Sequence, residues 1–62
     1  MCEMNAYLTG DGKEEMFLES LARIEVRGDT LEITSVFGDR KRLSGRIIEI
    51  NFQGGMVLLE RF

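Results

Sequence analysis

The chain has 62 residues, of which 44% are hydrophobic and 31% charged, and its formal net charge is −3. This composition is typical of a folded globular domain and excludes a disordered tail, while the acidic balance disfavours long-range attraction to nucleic acid. No apolar run approaches the roughly 20 residues of a membrane span, and the N-terminus lacks the pattern of a secretory signal. We therefore expect a single cytoplasmic domain over residues 1–62.

The first third of the chain alternates apolar and polar residues with the period of a β-strand. Residues 3–9 form the first predicted strand, and a glycine-containing hairpin loop over residues 9–13 follows it. Residues 14–20 form the second strand, although the apolar triplet Met16-Phe17-Leu18 would also suit a short helical turn. Two strands joined by a tight turn are expected here.

The middle of the chain carries the clearest hairpin pattern. Residues 21–27 alternate strictly, Gly28-Asp29 has the composition of a two-residue turn, and residues 30–35 alternate again. A fifth, short strand is predicted over residues 41–44, and Gly45 is predicted to mark a bulge or a sharp bend.

The last part of the chain predicts one more hairpin, with strands at residues 46–52 and 56–60. Six or seven short strands without proline or a long helical pattern indicate an all-β fold. The predicted architecture is a small barrel or a strongly curled antiparallel sheet.

The usual enzymatic constellations are missing from the sequence. It contains no histidine, no glycine-rich phosphate loop and no serine in an elbow motif, so catalysis is not expected. The single cysteine excludes an internal disulfide, and the chain is too short to bury a large core. Self-association is therefore the expected source of additional stability.

One basic tract interrupts this acidic chain, formed by Arg40, Lys41 and Arg42 with Arg46 nearby. Such a tract could bind single-stranded nucleic acid, especially beside the aromatic Phe37. The alternative is that these charges only keep a short edge strand from pairing with other chains. The net charge of the chain makes nucleic acid the weaker hypothesis.

Cys2 lies close enough to the terminal amine for both to bind one metal ion. Its thiolate could act together with terminal or backbone nitrogen atoms at Met1 and Glu3. Sulfur and nitrogen donors suit nickel, copper or zinc better than oxygen-preferring ions. A second Cys2 from a two-fold related copy would add a second sulfur ligand. By its pattern alone, Cys2 could equally be a small apolar residue that continues the face of Met4.

Several segments together resemble a known family. These are the opening Met1-Cys2-Glu3-Met4-Asn5-Ala6-Tyr7, then Phe17-Leu18-Glu19-Ser20, Val36-Phe37-Gly38-Asp39 and Gly45-Arg46-Ile47. With these residues the chain is similar to CooT proteins over essentially its whole length. The Met-Cys start is the only chemically specific mark of this resemblance.

The resemblance to CooT implies a small dimeric accessory protein that binds Ni(II) and supplies nickel to carbon monoxide dehydrogenase. Carried over by position, the metal ligand is Cys2. The client enzyme does not follow, because the family is wider than the organisms that need the carbon monoxide enzyme. Some family members have also carried an RNA-binding label. A further alternative is an interaction subunit that docks through Met16-Phe17-Leu18.

Overall fold

The computed structural model describes residues 3–10 and 12–62, and within them the chain forms six strands and no helix. The all-β prediction is therefore confirmed. The third and fourth strands begin and end at the predicted residues. The strands are β1 Asn5–Gly10, β2 Lys13–Leu18, β3 Leu21–Arg27, β4 Thr30–Ser35, β5 Arg40–Asn51 and β6 Met56–Arg61.

The strands form one sheet in the order β2-β1-β6-β5-β4-β3. Four neighbouring pairs are antiparallel, whereas β1 runs parallel to β6. A parallel pair was not predicted, because alternation identifies the faces of a strand but not its neighbour. Among the described residues β2 and β3 each pair with one strand only, so the sheet is not closed into a barrel. Of the two predicted architectures, the strongly curled sheet is the one that fits.

The longest strand, β5, replaces the two short strands predicted on either side of Gly45. Its first half pairs with β4 up to Ser44, and its second half pairs with β6 from Gly45 onward. A Cβ atom at Gly45 would collide with the backbone oxygen of Glu60. Glycine therefore allows the two backbones to approach closely at this changeover. The predicted bulge lies further along, where the register with β6 shifts between Ile47 and Glu49.

The hydrophobic core lies between the two halves of this curled sheet. Leu31, Ile33 and Leu59 are fully buried, and they come from β4 and β6. Burial of one such side chain stabilises the fold by roughly 1.5 to 3 kcal/mol. The remaining core residues are Ala6, Leu18, Leu43 and Val57.

Candidate functional site

The segment that follows Cys2 is held in place by backbone hydrogen bonds. The Asn5 amide donates to the carbonyl oxygen of Gly55 at 2.9 Å, and the Leu21 amide donates to that of Met4 at 2.7 Å. The side-chain oxygen of Asn5 accepts a third hydrogen bond, from the Ser20 amide at 2.9 Å. Residues from Met4 onward are thus fixed to two loops that are distant in sequence.

Gly55 brings its loop into close contact with Glu3. A Cβ atom at Gly55 would lie 2.5 Å from the Glu3 carbonyl oxygen, and the backbone of Gly55 has a φ of +67°. The loop is braced from within, since the Asn51 side chain accepts a hydrogen bond from the Gly54 amide at 2.8 Å. The position of the N-terminal segment therefore depends on a glycine at residue 55.

An apolar cleft of about 220 Å³ lies beside this segment. Phe52 and Ile50 form one wall and remain 74% and 48% exposed, respectively. Met4 also lines the cleft, so the cleft lies close to the start of the chain. The other lining residues are Leu21, Ala22, Arg23, Ile24 and Val57. Exposed apolar surface of this kind is typical of a contact with another protein.

The described residues contain no cluster of the side chains that usually bind metal ions. Residues 3–10 and 12–62 hold no group of three or more histidine, cysteine, aspartate or glutamate side chains able to bind a metal ion. Met1 and Cys2 lie outside the described residues, so the predicted thiolate ligand has no structural description. Glu3, the third predicted donor residue, is exposed at the edge of the described chain. The Cys2 ligand therefore stays a prediction.

The predicted basic tract does not form one surface. Consecutive residues of a strand point to opposite faces, so Lys41 is separated from Arg40 and Arg42. The Lys41 ammonium donates a hydrogen bond to the Phe17 carbonyl oxygen at 2.7 Å and lies 4.9 Å from the centre of the Phe17 ring. This lysine is therefore engaged with β2.

Two other members of the tract, Arg42 and Arg46, are paired with glutamates. Arg42 pairs with Glu32 on β4, and Arg46, beyond the changeover in β5, pairs with Glu60 on β6, each at 2.8 Å. A continuous stripe for a nucleic-acid backbone is not formed by these residues. The fold therefore divides the predicted basic tract.

The apolar triplet on β2 is also divided. Met16 is 48% exposed, whereas Leu18 is 8% exposed and belongs to the core. Phe17 is partly buried and packs against the core. Only Met16 is free to contact a partner, so docking through the whole triplet is not favoured by this arrangement.

Sequence comparison identifies the family. The family model described as CO dehydrogenase accessory protein CooT matches residues 1–60. The chain belongs to the CooT family. The predicted resemblance is confirmed, and the family is one of accessory proteins for CO dehydrogenase.

Two relatives of this CooT chain match nearly its whole length. The chain is 31% identical to a protein whose crystal structure is described as that of a CooT from Carboxydothermus hydrogenoformans. The two structures match with a TM-score of 0.90, and the match covers 98% of each chain. It is also 30% identical over 60 residues to the uncharacterized protein MJ1551 of Methanocaldococcus jannaschii. This match covers 97% of this chain and 98% of that protein. In its described residues, this CooT chain contains no helix of the length and hydropathy required to cross a membrane.

Two features of the site had no signal in the sequence. The contact between Gly55 and Glu3 joins opposite ends of the chain, so the glycine pair at residues 54–55 predicted only a turn. The arginines that accompany Arg40 and Arg42 on their face of the sheet come from β3, and strand register alone brings them together.

Proposed function

We propose that this CooT protein is a nickel-binding accessory protein that delivers Ni(II) to a nickel-requiring enzyme such as CO dehydrogenase. In this proposal a homodimer holds the ion between two Cys2 thiolates. The observation that carries the proposal is the match of the CooT family over residues 1–60, which include Cys2, the only cysteine of the chain.

The donor chemistry of this end of the chain supports the proposal. Cys2 offers a thiolate, and the adjacent terminal and backbone nitrogens at Met1 and Glu3 offer further donors, which together suit a soft or borderline ion such as Ni(II). Because the metal replaces the thiol proton, its affinity should rise with pH around the ordinary thiol pKa of about 8.5. A free thiolate also requires a reducing compartment, so we place the protein in the cytoplasm.

The apolar cleft supports the dimer. One chain supplies one thiolate sulfur, and a two-fold axis near the N-terminal segments would bring a second to the same ion. Phe52 and Ile50 leave apolar surface uncovered in a small chain that gains from burying more. Met4, close to Cys2 in sequence, lines the same cleft. A partner copy that covers the cleft would therefore contact a residue close in sequence to the proposed ligand.

The metal site is tested by nickel titration of the reduced protein and of Cys2→Ser. Thiolate-to-nickel charge-transfer absorption reports binding, and native mass spectrometry reports stoichiometry. We expect saturation at one nickel per two chains and loss of binding in Cys2→Ser. Equal binding by both proteins, or absence of binding in the native chain, would refute the proposal.

The dimer contact is tested with two matched aromatic substitutions. Phe52 lines the cleft and is 74% exposed, whereas Phe37 lies in another hairpin and is 77% exposed. We expect Phe52→Glu to yield monomers and to abolish the shared stoichiometry, and Phe37→Glu to remain dimeric. If sedimentation gives the same molecular mass for both variants, the cleft is not the dimer contact.

A further inference from the structure

The outer face of the sheet formed by β3, β4 and the first half of β5 carries a cluster of arginines. Arg23, Arg27, Arg40 and Arg42 lie on the face opposite the core, and two glutamates, Glu25 and Glu32, lie between them. The cross-strand register creates the cluster, since Glu25 is opposite Glu32, which is opposite Arg42. We call these six residues the arginine face.

The arginine face has a charge opposite to that of the whole protein. It holds four of the eight basic residues and two of the eleven acidic residues. The face therefore carries +2, which leaves −5 for the remainder of a chain whose net charge is −3. This separation of charge gives the face a local positive charge, which favours an anionic partner.

The two glutamates hold three of these four arginines in place beneath their exposed ends. Glu25 contacts Arg23 at 3.1 Å and Arg27 at 2.8 Å, and Glu32 contacts Arg42 at 2.8 Å. The glutamate side chains are only 26% and 21% exposed, whereas these arginine side chains are 68% to 75% exposed. Each guanidinium has five N–H donors, so most of them remain available to a partner.

The same contacts keep both carboxylates ionised. The hydrogen bond from Arg27, followed by the charge of Arg23, lowers the pKa of Glu25. The hydrogen bond from Arg42 lowers the pKa of Glu32, and the charge of Arg40 acts in the same direction on both. Arg40 itself has no carboxylate within 4 Å among the residues that the structure describes. Its guanidinium is therefore free for a partner.

We propose that the arginine face binds an extended, carboxylate-rich segment of a protein partner, which crosses the outer face of β3, β4 and β5 and places its carboxylates against Arg23, Arg27, Arg40 and Arg42. Neighbouring strands are about 4.8 Å apart, so a segment added at the open edge of β3 would lie about 14 Å from β5, whereas a segment that crosses the face can reach arginines on both strands. Alternate residues of an extended segment are spaced by about 6.8 Å on one side, so acidic residues at every second position would face the arginines.

A protein segment fits this face better than a nucleic acid does. Glu25 and Glu32 lie within the face, where they would repel a continuous line of phosphates, whereas the carboxylates of a polypeptide can be spaced to avoid them. The negative remainder of the molecule also opposes a long polyanion. Guanidinium groups bind carboxylates through paired hydrogen bonds, so the donors are suited to this partner. The proposal does not depend on nickel or on Cys2.

The test measures binding of a fluorescent peptide of alternating glutamate and threonine to the full-length protein by anisotropy. Arg42→Gln removes one member of the arginine face, and Arg46→Gln is its matched control. The two arginines are 72% and 63% exposed, and each pairs with one glutamate at 2.8 Å. We expect Arg42→Gln to weaken binding about tenfold and Arg46→Gln to leave it unchanged.

Two further measurements keep the test decisive if Arg42→Gln fails to fold. High salt should weaken peptide binding to the native protein by about tenfold or more, because the contacts are exposed charges. A thymidine oligonucleotide of equal charge should bind less tightly than the peptide. Lack of peptide binding by the native protein, equal losses in both variants, or tighter binding of the oligonucleotide would overturn the proposal. Cys2→Ser should bind the peptide normally, so failure of the nickel site would be distinguishable.

Discussion

Replacement of Gly55 by alanine tests whether the loop that receives Glu3 positions the N-terminal segment. The added Cβ atom would lie 2.5 Å from the Glu3 carbonyl oxygen, which is backbone and cannot rotate away like a side chain. The residue would also have to keep a φ of +67°, which is unfavourable for alanine. Either Glu3 or the loop must move.

Gly28 provides a matched control for the backbone strain alone. It has a φ of +59°, but a Cβ atom there would have no neighbour within 4 Å. Alanine in this left-handed conformation costs about 1 to 2 kcal/mol at either position. At Gly55 the shift of Glu3 should also weaken the Asn5 to Gly55 hydrogen bond, which adds about 1 kcal/mol.

The expected result is that Gly55→Ala melts about 4 to 8 °C below Gly28→Ala, because 1 kcal/mol has an effect of that size in so small a domain. The assay is thermal unfolding followed by circular dichroism, together with nickel titration of both variants. We expect nickel affinity to fall in Gly55→Ala alone. Identical melting temperatures and identical nickel binding in the two variants would show that the contact with Glu3 has no positioning role.

Three other substitutions test features of the fold itself. Gly45→Ala should destabilise the protein by about 3 kcal/mol or more in urea unfolding, because its Cβ atom collides with the Glu60 backbone, and an effect near zero would contradict the close approach. Ser35→Ala should lower the free energy of unfolding by about 1 to 3 kcal/mol in the same assay, because it removes a buried hydroxyl that accepts hydrogen bonds from two backbone amides. The pKa of Glu25 is lowered from 4.5, so its stabilising effect is present above that pH and is lost as the pH falls through the folded-state value. The melting temperature of Glu25→Gln should therefore be below that of the native protein at neutral pH, and the difference should shrink below pH 4.5.

Local patterns predicted those elements that depend on neighbouring residues. The hairpin of β3 and β4 was predicted at both ends, because strict alternation and the Gly28-Asp29 turn are properties of adjacent residues. The parallel pairing of β1 with β6 depends on which distant strands meet, and alternation carries no information about that choice. The same limit explains why one long β5 was read as two strands.

The candidate sites differ in how far the sequence could reach them. Cys2 was predicted as a metal ligand from its residue type and from the resemblance to CooT, and it remains a prediction because the described residues begin after it. The arginine face could not be found in the sequence, since Arg23 and Arg40 belong to strands whose register must be known first. Consecutive basic letters at residues 40–42 suggested a single patch, but strand geometry divides them between two faces.

The parallel pairing of β1 with β6 has a consequence during protein synthesis. The ribosome makes β1 before the other strands and β6 after them, so β1 cannot take its place between β2 and β6 until β6 has emerged. Until then the hydrogen bond from the Asn5 amide to the Gly55 carbonyl oxygen cannot form, so the start of β1 lacks this anchor. A nascent or truncated chain without β6 would therefore lack the contact that fixes Asn5, so the fold itself delays the ordering of this segment until β6 has been made.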